Sequence, residues 1–245
     1  SRAALIWSRI AEQAAARQAQ VSAMDVCAAA AEMLLVSGAW VTAQDTDGAR
    51  HLMCVTDEVS EQLGELQLTL GEGPCLDVLT SGSPVLISDL DADAARSWPG
   101  FTPQACQVKA AAIFALPLQI GAIRVGSLGL YRDKPGPLST AQLGDALIAA
   151  EAATVFLLES QHADGETPAP GAGPGGQPPD LARHRAEIDQ ATGMISEQLD
   201  VTMGEAFARL RAYAYAQDRR LSDVARDVVA RRLRLSRDPD PSPGP

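Results

Sequence analysis

Lysine, aromatic residues, clustered cysteines and long apolar runs are all scarce in this 245-residue chain, and each shortage excludes something. Lysine occurs only at Lys109 and Lys134, so the basic chemistry rests on arginine, a bias read as genomic rather than functional. Aromatics are 4% of the residues, and Ala and Arg carry much of the load instead. No stretch approaches the roughly 18 consecutive apolar residues of a spanning helix. The longest, Ala110 to Leu118, is short and interrupted by Pro117. The N-terminus has charged residues early and no small-residue cleavage site after an apolar core, so no signal peptide is expected. Cys27, Cys54, Cys75 and Cys106 are far apart, with no CxxC and no His at ligand spacing. A zinc site needs clustered ligands. The expectation is therefore buried free thiols in a reducing cytoplasm, with no metal and no cofactor.

What is present suffices for a folded protein. At 46% hydrophobic and 21% charged, the chain can bury a sizeable core. Its length fits one large or two ordinary domains of roughly 100–200 residues. The formal charge of −11 argues at first against a nucleic-acid partner, but it is unevenly placed. Residues 180–237 carry eleven arginines against nine acids, net +2, while the remainder holds nine basic and 22 acidic residues, net −13. Such asymmetry between parts says more than the total.

The boundary lies in Asp164-Gly-Glu-Thr-Pro-Ala-Pro-Gly-Ala-Gly-Pro-Gly-Gly-Gln-Pro-Pro179. Gly raises the backbone entropy cost of order and Pro removes donors, so this run builds neither core nor continuous helix. It reads as a flexible linker with local stiffness. The division is an N-terminal helix at 1–23, a domain at 24–160, the linker at 161–179, a second domain at 180–235 and a disordered tail at 236–245.

In the first domain, Ala23 to Ser37 fits an amphipathic helix with Met24, Cys27, Ala31, Leu34 and Leu35 on one face. Ala39 to Gln44 and Arg50 to Thr56 read as strands, with Asp45-Thr-Asp-Gly48 as hairpin punctuation. Pro84 to Ile87 is a short strand. Ala110 to Leu118 and Ala122 to Tyr131 form another pair joined near Gly121. Leu138 to Leu158 closes the domain as a long helix, with Ser139 as N-cap. The fold class is α+β, with helices flanking an antiparallel sheet.

Leu68-Thr-Leu-Gly-Glu-Gly-Pro-Cys75, Trp98-Pro-Gly-Phe101, Phe114-Ala-Leu-Pro-Leu118 and Gly129-Leu-Tyr-Arg-Asp-Lys-Pro-Gly-Pro-Leu138 resemble the GAF sensor domains of actinobacterial regulators. The resemblance covers about Met24 to Ser160. It implies a central antiparallel sheet with a pocket on one face for a small ligand, or else a sheet kept as a dimerising or packing scaffold. The Asn-Lys-Phe…Asp-Glu signature of cyclic-nucleotide-binding members is absent, and no Cys is followed by His as in bilin-binding members. His51, the domain's only histidine, reads as a partly buried strand residue rather than a haem ligand. An enzymatic reading rests on Cys75 alone, near a helix N-terminus whose dipole would lower a thiol pKa. Nucleophilic catalysis also needs a base and an orienting group, and no His partner can be placed. The structural reading, in which Gly71 and Gly73 make a tight turn, Pro74 starts a helix and Cys75 packs, is preferred; no enzyme is expected.

The second domain reads as three helices. The first spans about Asp180 to Leu199, with Ile188, Ala191, Ile195 and Leu199 at helical spacing; Leu181, Ile188 and Ile195 repeat every seven residues, suiting a short seam. The second opens on Thr202-Met-Gly-Glu205, a capping box, with Met203, Ala206, Phe207, Leu210 and Ala214 along one face. The third starts at Ser222 as N-cap, with Val224, Ala225, Val228 and Val229 inward.

Ile188-Asp-Gln-Ala-Thr-Gly-Met-Ile195, Val201, Glu205-Ala-Phe207, Leu210-Arg211, Ala214, Leu221 and Val224-Ala225 resemble an ANTAR domain across its length. That resemblance implies RNA binding: a homodimer recognises paired small stem-loops in a nascent transcript and competes with a terminator hairpin. Many members carry Ala-Lys-Gly where this chain has Ala191-Thr192-Gly193, which removes one cation. RNA loops are read by stacking and phosphates by cations. The residues expected to touch RNA are Thr192, Arg211, Tyr215, Arg219 and Arg220, with backbone contacts from Arg226, Arg231 and Arg232; Tyr213 could instead be core. The chain reads as a cytoplasmic RNA-binding antiterminator with a sensor domain. The alternative is a dimerisation or protein-interaction module that has lost RNA binding, supported by the acidic bulk and Thr192.

Overall fold

The computed structural model describes residues 2–45, 48–94, 96–163 and 179–236. The linker expected at 161–179 and the tail expected at 236–245 lie outside these apart from residues 161–163, 179 and 236; of the described linker residues, 161–163 end one helix and Pro179 starts the next. The chain divides into two compact units between Ala182 and Arg183.

The first unit runs α1 (Arg2–Ala16), α2 (Ala23–Leu34), β1 (Gly38–Gln44), β2 (Arg50–Val55), α3 (Glu58–Leu70), α4 (Pro74–Ser81), β3 (Val85–Ile87), α5 (Leu90–Asp93), α6 (Phe101–Gln107), β4 (Ala112–Ile120), β5 (Ile123–Arg132) and α7 (Thr140–Ala163). The five strands form one sheet in the order β2-β1-β5-β4-β3, each neighbouring pair antiparallel. Both faces are covered. Ala112, Phe114, Leu116 and Leu118 of β4, Val41 of β1 and Leu128 and Leu130 of β5 meet α1, α2 and α7. Ile113 and Ala115 of β4, Trp40 of β1 and Tyr131 of β5 meet side chains of α3, α4 and α6. A sheet buried on both faces needs no polar alternation, which is why β4 reads as a continuous apolar run.

Helix α7 is long and apolar enough over Thr140–Glu159 to pass for a membrane span by length and composition. Its Ala146, Ala149, Ala150, Ala152, Ala153 and Leu157 are buried in the domain core, so it is a core helix here. Ser139 caps it as expected: its Oγ accepts the Gln142 N–H at 3.2 Å, and Gln142 Oε1 accepts the Ser139 N–H at 3.0 Å. Helix α2 is shorter than expected. It stops at Leu34 because Leu35 takes φ 51°, and Leu35 is 79% exposed instead of sharing the apolar face.

The second unit holds most of α8 (Pro179–Leu199), then α9 (Met203–Ala216) and α10 (Leu221–Val229). Ala191, Ile195, Leu199, Ala206, Leu210, Ala214, Leu221, Val224, Ala225 and Val228 form its core. The small alanines let the helices approach closely. The capping box forms: Thr202 Oγ1 accepts the Glu205 N–H at 3.3 Å, and Glu205 Oε2 accepts the Thr202 N–H at 3.0 Å. Two expectations change. Met203 sits in the first turn, 52% exposed, off the core stripe. Helix α10 is capped at Arg220, not Ser222, because the Arg220 carbonyl already accepts the Val224 N–H at 3.1 Å; Ser222 is buried inside the first turn.

Candidate nucleic-acid interface

The polar residues of the sensor motifs turn inward onto backbone. Gly71 takes φ 72° to end α3, and Gly73 takes φ 135° where a Cβ would stand 2.5 Å from Gln67. That turn aims Gln67 Oε1 at the Cys75 N–H, 2.8 Å away. Glu72 Oε1 accepts the N–H groups of Gly100 and Phe101 at 2.6 and 2.7 Å, satisfying donors at the start of α6. Trp98 Nε1 donates to Asp77 Oδ2 at 3.1 Å. The Leu68–Cys75 and Trp98–Phe101 motifs are thus two halves of one clamp.

Cys75 is buried, and burial pushes its thiol up to about 12; Ser127, Gln67 and Trp40 beside it pull only weakly the other way. Desolvation overrides the helix-terminus effect considered above. His51 is buried on β2, its Nδ1 3.7 Å from Asp45 Oδ2.

The second unit distributes its charge differently. Tyr215 is 57% exposed near the end of α9. Arg211 lies one turn earlier, its guanidinium 5.8 Å from the Phe207 ring centre, a cation–π distance. Tyr213 is half-buried against the core. Asp218 takes φ 51° after α9, and exposed Arg219 and Arg220 follow in the turn into α10. Arg219 Nη2 donates to Asp227 Oδ2 at 2.6 Å. Beyond α10, Arg231 has φ 57° and is exposed, and Arg232 Nε donates to Asp227 Oδ1 at 2.8 Å. These two pairs hold the Asp227 carboxyl below the usual carboxylate range.

Two expected contacts sit elsewhere. Thr192 is buried, and its hydroxyl donates to the Ile188 carbonyl oxygen at 2.7 Å, so it offers a surface ligand little. Arg226 lies between Asp223 at 3.1 Å and Glu187 at 3.4 Å, a strut from α10 to α8. Sequence reasoning missed Asp227 as the shared partner of Arg219 and Arg232. Neither spacing, eight and five residues, is a helical neighbour spacing, since the chain turns at both ends of α10.

Comparison with protein families matches residues 23–157 to the GAF domain, more than half of the chain, and residues 181–229 to the ANTAR domain. The chain belongs to the GAF–ANTAR regulators. Its first unit is similar to the GAF domain of a phosphoenolpyruvate-protein phosphotransferase from Acinetobacter, at 16% identity and TM-score 0.51, over 68% of this chain and 99% of that one. A corresponding domain from Coxiella burnetii matches at 16% identity and TM-score 0.51, over 66% and 98%. At that identity the likeness speaks for the fold alone. No curated protein matches this chain. GAF domains are a sensor class and ANTAR domains a class of RNA-binding antiterminator modules, and both classes are regulatory.

Proposed function

We propose that this GAF–ANTAR protein is a transcription antiterminator. It acts in the cytoplasm as a homodimer, binding two adjacent small stem-loops in a nascent RNA and so preventing a terminator hairpin from forming. The observation that carries the reading is the ANTAR match over α8–α10, joined to an exposed group on the same unit: Tyr215, Arg219, Arg220, Arg231 and Arg232. Tyr215 offers a face on which an unpaired base stacks, and the arginines offer cations to phosphates. Arg211 flanks this group; Thr192 turns to its own helix and Arg226 to Asp223 and Glu187 instead. The GAF domain takes a small-molecule signal and acts by occluding the RNA surface or controlling dimerisation.

The test is binding of the full chain to an RNA with two adjacent hairpins, against a scrambled RNA, at two salt concentrations. The expected result is preference for the hairpins with affinity falling steeply as salt rises, because each neutralised phosphate releases counterions. Equal binding to both RNAs would leave the protein-interaction reading in its place.

A further inference from the structure

Arg219, Asp227 and Arg232 form one cluster at the exposed end of α10. Arg219 comes from the turn before the helix, Asp227 from its last turns and Arg232 from the segment after it. Each carboxylate oxygen takes a different guanidinium: Oδ2 that of Arg219 at 2.6 Å, and Oδ1 that of Arg232 at 2.8 Å. Two cations share one anion, so the cluster keeps a net charge of +1. The contrast with Arg226 is one of stoichiometry: Asp223 and Glu187 surround that single guanidinium and leave a net charge of −1.

Exposure follows the same division. The Arg232 side chain is 61% exposed and that of Arg219 38%, while Asp227 beneath them is 23% exposed. Arg232 is also fixed by its backbone, whose N–H donates to the Asp227 carbonyl oxygen at 2.8 Å after the left-handed turn at Arg231. Long side chains lose rotamer freedom on binding, and here part of that loss is incurred on folding.

We propose that Arg219 and Arg232, held side by side by Asp227, form the binding site for one backbone phosphate of the RNA, with Asp227 as its positioning residue. The inference rests on the RNA-binding reading above. A guanidinium carries five N–H donors in a planar fork; Arg219 spends Nη2 on Asp227 and on the Asp223 carbonyl oxygen at 3.4 Å, and the donors left over remain for phosphate oxygens. One carboxylate holds both guanidiniums, so their charges stand on the same patch of surface. Removing this acid from the RNA-binding surface therefore weakens specific binding even though it makes the surface more basic.

The experiment compares the full chain with Asp227→Asn and Arg232→Gln, on tandem-hairpin RNA and scrambled RNA, with circular dichroism of each variant. Asp227→Asn is expected to bind the hairpin RNA about tenfold more weakly, the loss of one oriented charge-assisted contact. Its binding to scrambled RNA stays equal or tightens. Arg232→Gln is expected to weaken hairpin binding similarly and to lower the salt slope by about one. Unchanged hairpin binding by Asp227→Asn, or tightening on both RNAs, would overturn the proposal, since the acid would then only screen. If Asp227→Asn loses helicity, Arg232→Gln decides: unchanged affinity and slope overturn the site. If the unaltered chain does not discriminate the two RNAs, the RNA-binding reading itself fails and the site falls with it.

Discussion

The two units use charge in opposite ways. In the sensor unit the motif acid and two helix-capping acids turn onto backbone and structural partners. Glu72 holds the start of α6, Asp57 accepts the Ser60 N–H at 2.8 Å, and Asp25 accepts the Ser22 N–H at 2.8 Å while pairing with Arg17. In the ANTAR unit arginines outnumber the acids that hold them at the exposed end of α10. A motif residue consumed by the backbone builds a scaffold, whereas a surplus held in place at the surface is available to a partner. The GAF motifs therefore identify the fold without naming a ligand, while the ANTAR surface points to a polyanion.

The largest expected effect lies in the scaffold. Trp40 is wholly buried opposite Gly129, where a Cβ would stand 2.2 Å from the indole. Trp40→Ala is expected to cost about 3–5 kcal/mol in urea unfolding. A loss under about 1 kcal/mol would mean that the sheet face is not the packed core described. Glu72→Ala, which orphans two backbone donors, is expected to cost about 1–3 kcal/mol. An unchanged midpoint would break the contrast at its clearest point.

The pH dependence sharpens the comparison. Burial raises Cys75 from 9.0 to about 12, and burial with Asp57 nearby raises Tyr131 from 10.0 to about 12. A folded-state pKa above the unfolded value gives stability that is complete below the unfolded pKa and lost as pH rises through the folded one. The urea midpoint followed by the fluorescence of Trp7, Trp40 and Trp98, all in the sensor unit, should fall between about pH 9 and about pH 12. For paired carboxylates the sign reverses: Arg219 and Arg232 lower Asp227 and the Thr202 cap lowers Glu205 in the ANTAR unit, as Arg2 lowers Asp145 in the sensor unit. Their contribution is present above their unfolded values and lost as pH falls through the folded ones. A sensor-unit midpoint that stays level into alkali would contradict the burial account.

Much of this was legible in the sequence because periodicity and capping are local. The Thr202-x-x-Glu205 box, the Ser139 cap and the strand pairs flanking Gly48 and Gly121 all occur as read. Helices α5 and α6 escaped notice because they are short; α3 escaped as well, although Asp57 and Gly71 bracket it as N-cap and left-handed C-cap. Of the candidate interface, the arginines and Tyr215 were visible as residues off an apolar stripe. Their sorting was not. Which arginine meets two acids and which shares one depends on how α8, α9 and α10 close together, and no spacing carries that.

The most direct test of the central claim is single-round transcription through a template that encodes two adjacent hairpins followed by an intrinsic terminator. The expected result is that the chain increases read-through, and that Arg219→Ala/Arg220→Ala abolishes the increase while costing no more than about 1 kcal/mol of stability, as expected for loss of an exposed ion pair. Read-through that is the same with and without the unaltered protein, on a template whose hairpin RNA it binds, would contradict antitermination.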